Sequence, residues 1–150
     1  MDATQDLSPL RVLVVDDSQD DTRVFAALLR RLGCEVQSLN DPGPCVNVVR
    51  QFRPQLVFLD IGMPRTDGLQ VAAALRAENL GRFLLVARTG YADADLKRKC
   101  LDAGFDLVLY KPDEITAVRQ TLDAARQLPE PGDPSAVAPP PPAELPQRWA

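Results

Sequence analysis

Five short apolar runs alternate with five amphipathic stretches along this chain. The runs are Arg11-Val12-Leu13-Val14-Val15, Cys34 to Leu39, Leu56-Val57-Phe58-Leu59, Phe83-Leu84-Leu85-Val86-Ala87 and Leu107-Val108-Leu109-Tyr110. All have strand length, and the nearly continuous apolar ones predict strands buried on both faces. Between them apolar residues recur at helical spacing. The first helix carries Val24, Phe25, Leu28, Leu29 and Leu32, and the second Val46, Val49 and Phe52. The third carries Leu69, Ala72 and Leu75, the fourth Leu96, Cys100 and Ala103, and the fifth Ile115, Val118, Leu122 and Ala125.

Local signals agree with these periods. Ser18, Asp67 and Asp113 are good caps for the first, third and fifth helices, and the fourth starts from about Asp93. Asp20 and Asp21 fall in the first turn of the first helix and Arg30 and Arg31 in its last, which suits the helix dipole. Gly33 and Gly104 are terminators. Pro44 fits the first position of the second helix, which must stop before Pro54. Strictly alternating strands and helices predict an α/β fold, a five-stranded parallel sheet with helices on both faces.

The folded part spans residues 10–128, after a polar leader (1–9). Residues 129–150 hold eight of the fourteen prolines, a composition that makes no core and predicts an extended, mobile tail. The apolar fraction of 45% and charged fraction of 25% are those of a soluble globular protein. A net charge of −4 gives no reason to expect direct nucleic-acid binding. No apolar stretch reaches membrane-spanning length, and the N-terminus has no signal core, so a cytoplasmic location is expected. Cys34, Cys45 and Cys100 show no metal-site or disulfide spacing. The chain has no histidine, which excludes His-based nucleophilic triads and His-ligated metals.

What remains for chemistry clusters at strand ends. Asp16 and Asp17 follow the first run, Asp60 the third, Thr89 the fourth and Lys111 the fifth. In a parallel sheet these ends share one edge, the edge where ligands bind in open α/β folds. Three carboxylates gathered there repel unless cations intervene. Lys111 offers one charge. An oxygen-only donor set favours magnesium or manganese over zinc. With those charges on phosphoryl oxygens, an Asp60 oxygen can act as an in-line nucleophile. Thr89 can donate a hydrogen bond to the phosphoryl group, and Gly90 leaves it room.

The set Val-Val-Asp16-Asp17-Ser, Leu-Asp60-Ile-Gly-Met-Pro64, Thr89-Gly90 and Tyr-Lys111-Pro112 resembles the receiver domain of two-component response regulators (CheY-like). The resemblance covers about residues 10–128 and implies a flavodoxin-like strand order 2-1-3-4-5. It implies that Asp60 accepts a phosphoryl group from a sensor histidine kinase or histidine phosphotransfer protein. It further implies that Asp17 binds magnesium directly, Asp16 through water, and Gly62 through its carbonyl. Lys111 would contact the phosphoryl group, across a bond to Pro112 that is often cis in the family. Thr89 would be the switch hydroxyl. The output surface is usually the fourth helix, fifth strand and fifth helix, here roughly residues 91–127. The chain would then be no enzyme beyond its own phosphorylation and autodephosphorylation. It would act as a stand-alone receiver or as part of a longer regulator or hybrid kinase.

Three alternatives fit less well. A haloacid-dehalogenase-like phosphohydrolase has a second Asp two residues after its nucleophile, where this chain has Gly62. A nucleotide-binding module would need a glycine-rich phosphate loop, and none follows any strand. A degenerate receiver acting only through protein contacts would lack key residues that are all present here.

One position departs from the family pattern. Val108 stands where Tyr, Phe or His usually couples to the switch hydroxyl. Tyr110, taken as having the opposite strand parity, is not expected to replace it. Two residues that flank the water's approach in such receivers are here Gly62 and Tyr91. Gly62 has no side chain to orient water, and Tyr91 is placed to shield the phosphoryl group. A fairly long-lived phosphoprotein is therefore expected, with a dephosphorylation half-life that shortens in Tyr91→Ala. An unchanged half-life would count against the shielding.

Overall fold

The computed structural model describes residues 9–63, 67–90, 93–112 and 114–128. The elements run β1 (Leu10–Val15), α1 (Gln19–Arg31), β2 (Cys34–Leu39), α2 (Cys45–Phe52), β3 (Leu56–Asp60), α3 (Gly68–Ala77), β4 (Leu84–Thr89), α4 (Ala94–Ala103), β5 (Leu107–Tyr110) and α5 (Ile115–Arg126). All four strand pairings are parallel, in the order β2-β1-β3-β4-β5.

Strand alternation splits the core into two layers. Val12, Val14, Leu56, Phe58, Leu84, Val86, Leu107 and Leu109 point to one side, where α1 and α5 supply Phe25, Leu29, Val118 and Leu122. Leu13, Val15, Val57, Leu59, Leu85, Ala87 and Val108 point to the other, against Cys45, Val49, Ala72, Leu75 and Cys100 of α2, α3 and α4. The three cysteines are free and buried. Burial pushes the thiols of Cys45 and Cys100 up to about 11, so neither is a poised nucleophile.

Several boundaries follow from local chemistry. The Ser18 hydroxyl accepts the Asp21 amide at 3.2 Å. Asp67 and Asp93 accept the Leu69 and Asp95 amides, both at 2.9 Å. Gly33 follows α1 at φ +93°, a left-handed conformation that favours glycine. Arg76 closes the sheet end opposite the clustered strand termini. Its guanidinium bonds Asp106 Oδ2 at 2.7 Å and the Gly104 carbonyl at 2.9 Å, and lies over the Phe83 ring.

Four expectations need correction. Val24 is 71% exposed, because α1 buries Thr22, Phe25, Ala26 and Leu29 and position 24 falls on the far side of that face. Ile115 is 42% exposed at the flank of α5, where Ala117 and Thr121 turn inward instead. Pro44 caps α2 rather than opening it. Strand β4 does not end at Ala87; it starts one residue later than expected and continues through Arg88 and Thr89. Glu114 is the residue at the α5 cap position. The leader up to residue 8, the expected cap Asp113 and the tail 129–150 lie outside the described residues.

Phe58 is fully buried in β3 and meets the Phe25 ring edge-on at 4.9 Å between centroids. Phe58→Ala should cost about 3–5 kcal/mol, read as a lower urea midpoint.

Candidate functional site

Parallel strands deliver Asp16, Asp60, Thr89 and Lys111 to one sheet edge, as their positions predict. Alternation then decides which share a face. Asp60 continues the Leu56-Phe58 side of β3, and Arg88 continues the Leu84-Val86 side of β4. The two are register partners. Asp16 follows Val14 in the same alternation, and Lys111 follows Leu109. All four therefore lie toward the α1/α5 layer.

Carboxylate oxygens of Asp16, Asp17 and Asp60 all lie within 4.8 Å of one another. Lys111 Nζ bridges two of them, donating to Asp16 Oδ2 and Asp60 Oδ2 at 3.2 Å each. Asp60 Oδ1 accepts the Gly62 amide at 2.8 Å, and Asp16 Oδ1 the Ser18 amide at 3.0 Å. The Asp16 carbonyl accepts Asn40 Nδ2 at 2.8 Å and Thr22 Oγ1 at 3.2 Å. Asp16 is thus held at both ends, while Asp17 is exposed at the rim. Asp21 also reaches the rim, 4.0 Å from Lys111.

Burial is the strongest influence on the Asp60 carboxyl and lifts its pKa above the usual value. The Asp16 charge adds to the rise, and the Gly62 amide and Lys111 offset it only in part. Burial acts the same way on Asp16, but the Ser18 amide and Lys111 outweigh it and leave that carboxyl below its usual value. Burial draws Lys111 down, yet Asp60 and Asp16 prevail and hold it above its usual value.

The donor set fits a hard divalent cation: carboxylate oxygens only, close together, with one exposed to solvent. Asp16, Asp17 and Asp60 are the carboxylates that could hold it. Thr89 is buried, ends β4 on the α2/α3/α4 side, and is the register partner of Tyr110. The parity assigned to Tyr110 needs correction. Val108 and Tyr110 are two positions apart, so they share a face. Val108 is buried in that layer and Tyr110 packs against it. The Lys111–Pro112 bond is cis. Pro64 and Tyr91 lie outside the described residues.

Arg88 escaped the sequence reading. It is 3% exposed, with its guanidinium 3.4 Å from Asp16 Oδ2 and stacked 3.9 Å above the Phe25 ring centroid. A charged residue just before Thr89 looks like a loop residue when the strand is ended at Ala87. Extending the strand by its own alternation puts Arg88 beside Asp60.

The model of the response regulator receiver domain matches residues 12–123. The chain belongs to that family. This receiver is 33% identical over 121 residues to the sensor histidine kinase RcsC of Escherichia coli (strain K12); the match covers 80% of the chain and 12% of the kinase. It is 35% identical over 114 residues to RcsC of Salmonella typhi, covering 75% and 12%. The receiver thus spans a small part of these relatives' length. Among solved structures it resembles the chemotaxis protein CheY4 of Vibrio cholerae, with TM-score 0.72, 23% identity, and 78% and 98% of the two chains covered. It also resembles a chain from the co-crystal structure of the Saccharomyces cerevisiae phosphotransfer protein Ypd1 with the Ssk1 receiver domain, with TM-score 0.70, 21% identity, and 77% and 87% covered. These structural likenesses establish the fold as that of CheY-like receivers. Among the described residues no helix is long and apolar enough to cross a membrane.

Because the folded-state pKa of Asp60 is raised, its protonated form stabilises the fold below the ordinary carboxylate value. That contribution is lost as pH rises through the raised value. In metal-free buffer at pH 7, Asp60→Asn should therefore unfold at a higher urea concentration than wild type. The advantage should shrink as pH falls to the ordinary carboxylate range. A variant no more stable than wild type at pH 7 would contradict the direction assigned to Asp60.

Proposed function

We propose that this receiver accepts a phosphoryl group on Asp60 from a phosphohistidine of a sensor histidine kinase or a histidine phosphotransfer protein. The observation that carries this reading is the convergence of Asp60, Lys111 and the Asp16–Asp17 pair at one edge, with Lys111 3.2 Å from the Asp60 carboxylate. An Asp60 oxygen attacks phosphorus, the new O–P bond forms, and the P–N bond to the donor imidazole breaks in line. Lys111 donates to a phosphoryl oxygen. Magnesium, or manganese in its place, supplies charge neutralisation on the phosphoryl oxygens when held by Asp16, Asp17, Asp60 and the Gly62 carbonyl. Thr89 is the hydroxyl that draws toward the new group and biases the surrounding loops between two arrangements.

The receiver has no reaction of its own beyond taking and losing this group, and it works in the cytoplasm. Its output is a protein contact rather than a nucleic-acid or membrane contact. Roughly residues 91–127 are the downstream surface; Leu101 of α4 and Ile115 of α5 stand exposed there, 44% and 42% respectively. The sensor histidine kinase RcsC and the co-crystal of the histidine phosphotransfer protein Ypd1 with the Ssk1 receiver domain supply the partner classes by likeness.

Incubation with magnesium and acetyl phosphate, followed by intact-mass measurement, tests the reading. One phosphoryl adduct is expected on the wild type. It should be absent in Asp60→Asn and absent without magnesium. An adduct that persists in Asp60→Asn would move the acceptor elsewhere. No adduct, with magnesium binding intact, would favour a receiver that signals by contact alone.

A further inference from the structure

Asp16, Asp17 and Asp60 bring three negative charges to the centre, and Lys111 and Arg88 return two. The second cation changes the balance. Counting only the three grouped carboxylates and leaving the exposed Asp21 at the rim aside, Lys111 alone would leave about two negative units and Arg88 lowers that to about one. Arg88 is not a surface charge that salt would screen, since it and Asp16 are 3% and 1% exposed. Its position is fixed from two sides. Asp16 lies at one edge of the guanidinium, and the Phe25 ring of α1 lies beneath its plane.

We propose that Arg88 is a resident counter-charge of the metal centre, which lowers its affinity for divalent cations. The inference rests on the receiver reading above. A purely structural alternative is open to test: Arg88 could merely be a satisfied buried cation joining β4 to α1. In that case hydrogen bonding and packing would matter and charge would not.

Three variants separate the two accounts. Arg88→Met removes charge and hydrogen bonding but keeps much of the apolar stem. Arg88→Gln keeps a donor for Asp16 without the charge, and serves if the Met variant fails to fold. Arg88→Lys keeps the charge. Each would be titrated with magnesium chloride while amide shifts of Asp17 and Gly62 are followed by NMR, with thermal unfolding run in parallel to verify the fold. The neutral variants should bind magnesium at least about tenfold more tightly than wild type, and the lysine variant within about threefold of it. Folded neutral variants that bind magnesium as wild type does, or more weakly, would overturn the inference and leave the receiver reading standing. No magnesium response in wild type or any variant would sink the metal centre itself, and this inference with it.

Discussion

Two carboxylates buried side by side need positive charge, and the sheet edge is built around supplying it. Asp16 and Asp60 are 1% and 8% exposed, too dry for water to neutralise them. Lys111 answers both at once, 3.2 Å from each. It can do so because β5 ends on the same face as β1 and β3. Asp16 is the more tightly held of the pair, with the Ser18 amide on one oxygen and two cations on the other. Asp60 is held by the Gly62 amide on one oxygen and by Lys111 on the other. Arg88 gives Asp16 a second cation beside Lys111, so the deeper carboxylate does not depend on Lys111 alone. The less constrained carboxylate is Asp60, the proposed phosphoryl acceptor.

The remaining architecture leaves that edge free to work. At the opposite end Arg76 joins Gly104 and Asp106, and Asp106 Oδ2 also accepts the Leu85 amide at 2.8 Å. A Cβ at Gly104 would lie 2.7 Å from Arg76 Cγ, so a side chain there would collide with the latch. The carboxylate edge is made differently. Gly68 opens α3 directly beneath it, where a Cβ would sit 2.7 Å from the Ile61 Cα and 3.0 Å from the Asp60 carbonyl. Close backbone approach there sets Asp60 and Ile61 directly against the start of α3.

Much of this was legible in the chain because the signals were redundant. Five apolar runs gave the strands, and a residue with a charge or hydroxyl at the end of four of them gave the edge. The family motif supplied the strand order, which periodicity does not encode. What escaped has physical causes. Val24 belongs to an apolar cluster of α1, but 3.6-residue periodicity turns it to solvent. Arg88 was obscured because a charged residue argues against a buried strand when its partners are unknown. Asp16 and Phe25 are 72 and 63 positions away in sequence, and only the folded chain brings them to it. Tyr110 is a simpler case: residues two apart in a strand face the same way, so it stands with Val108 and beside Thr89.

Arg88 and Thr89 are neighbours in sequence that face opposite sides of the sheet. One is engaged with Asp16 and α1, and the other lies beside Tyr110 toward α4. They share a single peptide unit, so a pull on one hydroxyl also tilts the anchor of one guanidinium. A displacement of this strand terminus would therefore enter two helical layers at once, α1 on one side of the sheet and α4 on the other.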